Sequence, residues 1–287
     1  MKATIPIGLI LAVLGGTLSA VGGLTLPQSG LVGTTILCGF WWVTEAIPIP
    51  ATSMLPFALF PFFQVLDHKQ VASSYGHHMI LLLLGGFLLS KGLESSGVHK
   101  RFAMWMIRMC GTGGKRLVLG FMLASAVCSM WISNTATVLM LLPVALAVVE
   151  KDSPLCIPLF LGMAYAASIG GMGTPIGTPP NMILLSQLGR EIAFLDWMLL
   201  TLPLVVTFLF LAWLWLTRGI GESKAVKIPI LGAWTWAECA SISVFVLAAF
   251  LWVFRKNPFG GWSTWIGVER WVGDSSIAMF CATLLFV

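Results

Sequence analysis

Two short polar stretches set inside apolar sequence carry the residues able to do chemistry. The first is Ser133-Asn134-Thr135-Ala136-Thr137, between the apolar runs 117–132 and 138–149. The second is Gly170-Gly171-Met172-Gly173-Thr174-Pro175-Ile176-Gly177-Thr178-Pro179-Pro180-Asn181, between the runs 155–169 and 182–188. Ser133, Thr135 and Thr137 supply hydroxyls, and Asn134 supplies both a carbonyl and an amide. Ser129 lies one helix turn earlier, on the face of Ser133 at i, i+4, where it adds an oxygen. In the second stretch glycine lets backbone carbonyls approach a small ligand closely. Pro175, Pro179 and Pro180 keep the segment from closing into helix.

No Asp or Glu falls within either stretch, and that decides between ions. A divalent metal wants carboxylates; an uncharged oxygen cage suits a monovalent cation such as Na⁺. A helix ending at such a break points free carbonyls and the negative end of its dipole toward it, which favours a cation. A helix starting there offers free amides and the positive end, which favours an anion. A cation held at the break would help to hold a neighbouring anion. The plain alternative is that these small polar residues glue helices together, as they do in membrane bundles. The clustering at one tip, with Gly177-Thr178-Pro179-Pro180-Asn181 following, weighs toward a binding site.

The elements that must position these residues follow from length. A bilayer-spanning helix needs about 20 apolar residues, and neither arm of the first stretch reaches that. They read as a re-entrant hairpin, 117–150, that enters and leaves on one side. The second stretch reads as one spanning helix, 155–188, broken near its middle. Such backbone is tolerated at membrane depth only inside protein or along a water-filled cavity. Further spans fall at 5–26, 31–47, 51–66, 78–93, 197–216 and 234–254. Residues 98–110 mix His99, Lys100, Arg101 and Arg108 with Phe102, Trp105, Met106 and Ile107, which suits a helix lying in the interface. Pro48 and Pro50 end a helix beside Glu45, which reads as interfacial.

Composition fixes the class. With 58% hydrophobic and 9% charged residues and a mean hydropathy of +0.94, the chain reads as an all-α polytopic membrane protein. The net charge of +5 marks membrane topology, not nucleic acid. Lys2, Lys100, Arg101, Arg108, Lys115, Arg116, Lys151, Arg218, Lys224 and Lys227 fall on one side, which makes the N-terminus cytoplasmic. Cys38, Cys110, Cys128, Cys156, Cys239 and Cys281 form no C-x-x-C pair, and the four histidines make no ligand pattern. No metal beyond Na⁺ and no cofactor is expected. An intramembrane enzyme with Ser129 or Ser133 as nucleophile needs a base in reach, and His78 and His99 belong to membrane edges. The final run, 275–287, rises only about 20 Å at 1.5 Å per residue, short of the ~30 Å core. The chain therefore reads as cut short. Trp271-Val272-Gly273-Asp274 faintly echoes Trp42-Val43-Thr44-Glu45, as the start of a second repeat would.

Ser129-Met130-Trp131-Ile132-Ser133-Asn134-Thr135-Ala136-Thr137, Gly177-Thr178-Pro179-Pro180-Asn181 and the upstream Trp42-Val43-Thr44-Glu45-Ala46-Ile47-Pro48 together resemble the divalent anion:sodium symporter family, over its N-terminal half. The resemblance implies an inverted-repeat elevator transporter, usually a homodimer, in the plasma (inner) membrane. It implies scaffold helices in 1–116 and transport-domain elements in 117–216, namely the hairpin 117–150, the broken helix 155–188 and the helix 197–216. A cytoplasmic loop, 217–232, and an incomplete second repeat, 233–287, follow. By matching positions Ser129, Ser133, Asn134 and Gly177 would bind Na⁺. Asn134, Thr135, Thr178 and Pro179 would meet the substrate. The expected function is sodium-coupled import of a divalent anion, a C4-dicarboxylate such as succinate, across the lipid bilayer. The alternative is a proton-coupled or exchange-type dicarboxylate, citrate or sulfate carrier of the same architecture, against which the neutral cage speaks.

Overall fold

The computed structural model describes residues 3–149, 153–189, 192–221, 232–256 and 260–287. Among the described residues all regular structure is helical, as expected of the class. Lys2, the hairpin's end at Glu150-Lys151-Asp152, Arg190, and Lys224 and Lys227 of the 217–232 loop lie outside them. The chain forms two compact units, Met1–His77 and His78–Val287.

In the first unit α1 (Thr4–Val21) stops ahead of Gly22-Gly23, Gly23 standing at φ +91°. The next helix, α2 (Leu26–Thr44), starts at a capping box in which Thr25 N donates to Gln28 Oε1 over 2.9 Å. The turn therefore falls at 22–25, inside the first expected span. Gly16 and Gly33 let α1 and α2 come close: a Cβ on Gly16 would sit 3.3 Å from the Ser29 carbonyl, and one on Gly33 3.1 Å from that of Ala12. Glu45 ends α2 in a left-handed conformation, φ +48°, and is exposed. The expected span at 51–66 is two short helices, α3 (Ile49–Ser53) and α4 (Leu55–Phe62). Pro56 and Pro61 each remove an amide that a continuous helix would use. A further short helix, α5 (His68–Tyr75), opens on Asp67, whose carboxylate accepts from Lys69 N and Gln70 N.

The second unit holds α6 (His78–Ser96), α7 (Val98–Cys110), α8 (Gly114–Ser129), α9 (Asn134–Val148), α10 (Cys156–Gly171), α11 (Pro179–Gln187), α12 (Phe194–Leu216), α13 (Trp236–Val253), α14 (Gly261–Trp265) and α15 (Asp274–Leu284). Its core centres on α8. Leu117, Phe121 and Met122 are wholly buried against Ile107, Leu141, Leu159, Met163 and Val205. A second cluster joins α6, α11, α12, α13 and α15 around Phe194 and Trp252, whose rings stack 5.1 Å apart. Trp131, from the first break, stacks on Phe194 at 5.9 Å. The expected hairpin arms appear as α8 and α9, and the expected broken helix as α10 and α11. The helix expected at 98–110 is α7, with the same bounds. Asp274 opens α15 and pairs with Arg255 at 2.6 Å, whereas Glu45 closes α2, so the two ends of the faint repeat play different local parts. Thr4–Val21, His68–Ser96, Phe194–Leu216 and Trp236–Val253 are long and apolar enough to cross a membrane.

Candidate functional site

The first break begins where α8 ends, at Ser129. Met130 N, Trp131 N and Ile132 N turn back to Ala126 and Cys128 carbonyls at 2.9–3.1 Å. Ser133 restarts the chain as N-cap of α9. Its Oγ accepts from Ala136 N over 3.2 Å, and its carbonyl accepts from Thr137 N over 2.9 Å. Because the helix ends between them, Ser129 and Ser133 do not share an i, i+4 face. Ser129, fully buried, instead donates its hydroxyl to Asn134 Oδ1 over 2.6 Å. Asn134 is half-buried, while Ser133 and Thr135 are exposed. Thr137, counted with them in the sequence, is fully buried, and its hydroxyl has no partner among the described residues.

The second break, residues 172–178, is held from all sides. Asn181 Nδ2 donates to the carbonyls of Gly171 and Thr174, both at 2.8 Å. Trp197 Nε1 donates to Met172 O over 3.0 Å, and Thr201 Oγ1 lies 3.4 Å from Gly173 O. The Thr201 hydroxyl gives its one proton to Trp197 O at 3.0 Å, so the carbonyls of Gly171, Met172 and Thr174 are the ones with a side-chain donor. Thr174 returns the bond across the site, its hydroxyl donating to Met130 O in the first break.

Glycine is required where the two breaks meet. A Cβ on Gly170 would fall on the Ala126 backbone, and one on Gly177 would strike the Gly171 carbonyl and stand 3.0 Å from Met130 O. A Cβ on Gly171 would lie 2.8 Å from Asn134 Oδ1. Ser129, Asn134 and Gly177 are therefore brought together around Met130 and Gly171, with Ser133 adjacent in sequence. Thr178, Thr135 and Pro179 lie toward the surface at the starts of α11 and α9.

The two helix starts differ as anion sites. Pro179 and Pro180 leave α11 without amides in its first two positions, and Asn181 N is spent on Thr178 O at 3.1 Å. At α9 the amides of Asn134 and Thr135 have no protein acceptor among the described residues. The amide end that serves an anion is the one at Asn134-Thr135. Among the described residues no cluster of His, Cys, Asp and Glu could hold a metal, so the oxygens here are hydroxyl, amide and backbone.

The sequence reading assigned no role to Asn181 or Thr174, although both stand in its motifs. Trp197 and Thr201 carry no local signal at all: each is one polar atom on an apolar helix.

The citrate transporter (CitMHS) family model matches residues 40–286. The sodium-dependent dicarboxylate transporter SdcS of Staphylococcus saprophyticus subsp. saprophyticus is 37% identical over 285 residues, covering 90% of this chain and 54% of that protein. Its counterpart in Staphylococcus aureus (strain bovine RF122 / ET3-1) is 36% identical over 292 residues, 91% of this chain and 55% of that protein. The chain spans about half the length of the curated relatives it matches. The resemblance read from the three motifs is borne out. Matched over most of its length, with its hairpin and broken helix side by side, the chain belongs to the citrate transporter (CitMHS) family.

Proposed function

We propose that the chain forms the first half of a sodium-coupled secondary transporter that imports a divalent anion, a C4-dicarboxylate such as succinate. One observation carries this reading. A carboxylate-free set of oxygens at Ser129, Ser133, Asn134 and the backbone of Gly177 adjoins the amide end of α9, so a cation and an anion have neighbouring places. Ser129 spends its proton on Asn134 and keeps its lone pairs for Na⁺. Asn134 and Thr135 present amides and side chains to a substrate carboxylate, with Thr178 and Pro179 beside it. The names of the relatives, sodium-dependent dicarboxylate transporters, support the same ion and substrate class.

The finer architecture belongs to the same proposal. Residues 1–116 are scaffold, 117–216 carry the moving site, 217–232 form a cytoplasmic loop and 233–287 begin a second repeat. The carrier is a homodimer of elevator type in the plasma membrane, with its N-terminus cytoplasmic.

The test is substrate titration of the full-length carrier in liposomes at several Na⁺ concentrations. Na⁺ and substrate should tighten each other by the same factor, about 5–150-fold. Asn134→Ala should abolish Na⁺-dependent uptake while the protein stays folded. Substrate affinity that ignores Na⁺ and follows pH would favour proton coupling instead.

A further inference from the structure

Threonines on the long helices share a habit that Thr137 breaks. Thr34, Thr35 and Thr44 on α2, and Thr201, Thr207 and Thr217 on α12, each donate to the carbonyl four residues back, over 2.7–3.0 Å. A helical threonine satisfies its hydroxyl in this way without any outside partner. Thr137 has the same acceptor in reach, since the Ser133 carbonyl takes Thr137 N over 2.9 Å, yet its hydroxyl stays off it. The residue is fully buried, and Oγ1 has no hydrogen-bond partner among the described residues. Stranding a buried hydroxyl is costly, and valine has the same shape without that cost.

The place of the residue accounts for the oxygen. Thr137, Leu141, Ala145 and Val148 are the buried residues of α9. The last three share one core with Phe121 and Met122 of α8 and Leu159 and Met163 of α10. Thr137 is the end of that stripe nearest the two breaks. Three and four residues back on the same face stand Asn134 and Ser133, neighbours at about 5–6 Å between Cβ atoms. A helical side chain leans toward the start of its helix, so Thr137 leans beneath Asn134. Asn134 in turn accepts from Ser129 Oγ over 2.6 Å and abuts Gly171, where an added Cβ would lie 2.8 Å from Oδ1. The hydroxyl thus stands one turn beneath the place where α8 ends, α9 begins and α10 ends.

We infer that Thr137 is a further residue of the cation site, its hydroxyl oxygen meeting Na⁺ from the buried side of Asn134. The inference rests on the sodium reading above and gives it a consequence for stability: Na⁺ supplies the partner that the hydroxyl otherwise lacks.

The test is thermal unfolding of the purified full-length carrier in detergent, with Na⁺ exchanged stepwise for choline at constant ionic strength and without substrate. Na⁺ should raise the wild-type Tm, and the concentration at half effect reads its affinity. Thr137→Val should raise that concentration about tenfold or more, the low end of what a hydroxyl's bond to a charged group is worth. Its Tm in choline should equal or exceed the wild type's. Thr137→Ser keeps the oxygen and should keep the wild-type Na⁺ midpoint, even where loss of the methyl lowers its Tm. A Thr137→Val carrier that responds to Na⁺ like the wild type would overturn this place for Thr137 and leave the sodium reading intact. One that has already lost stability in choline would give the hydroxyl a resident partner, such as a buried water, and overturn it too. A wild-type Tm indifferent to Na⁺ would overturn the sodium reading and this assignment with it.

Discussion

Where the first break leaves Ser133 and Thr135 exposed and Asn134 half-buried, the second buries Gly171, Gly173 and Thr174 and supplies side-chain donors to the carbonyls of Gly171, Met172 and Thr174. The contrast separates two tasks. A group that is to bind an ion must keep lone pairs or amides unspent; a loop that is to hold such a group must spend its own. The first break presents and the second supports. Thr174 and Gly177 are where they touch, both at Met130 O.

Substitutions can break this division, and the largest effect belongs to the contact beneath it. Gly170→Ala places a methyl on the Ala126 backbone, which has no side chain to rotate away. Overpacking of this kind costs about 1–3 kcal/mol, occasionally more, and thermal unfolding in detergent should show a loss at or above the top of that range. An unchanged Tm would mean that α8 and α10 are not in backbone contact. Next comes Asn181→Leu, which strips the donor from two buried carbonyls. Stranded buried polar groups cost about 1–3 kcal/mol, so a loss of about 2 kcal/mol is expected, with weaker Na⁺ binding following from the loosened loop at Gly177. Na⁺ affinity that holds steady while stability falls would detach the support from the site. Smallest in stability is Thr135→Val. On the exposed first turn of α9 it should change unfolding by less than about 0.5 kcal/mol yet raise the substrate Kd. A Thr135→Val carrier that binds substrate normally would remove that residue from the presenting side.

Much of this was legible in the sequence because glycine and proline act locally. The break after Gly171 and the restart at Pro179 need no tertiary information, and the mixed charges and aromatics of 98–110 mark a helix whose bounds are met to the residue. The register at the tip was not legible. Spacing alone puts Ser129 and Ser133 on one helical face, but Ser133 is a better N-cap than a helix interior residue, so the helix ends first and Ser129 turns to Asn134. Hydropathy likewise sees 51–66 as one apolar run, blind to Pro56, which stands in the first turn of α4 where α3 has just ended. The support at Trp197 was out of reach, since it acts through a single atom on a residue 25 positions away.

The Gly170–Ala126 contact has a mechanical consequence. With no side chain between them, α8 and α10 cannot slide past one another in small rotamer steps; they separate or travel as one block. Since α8 ends at Ser129 and α10 at Gly171, any displacement of Ser129 along its helix axis would take Gly171 with it. Bending then falls to the turns at the ends of the block. Gly111 at φ +106° and Gly114 at φ +50°, at the start of α8, are the backbone positions best able to take up such bending, at the opposite end of that helix from Ser129.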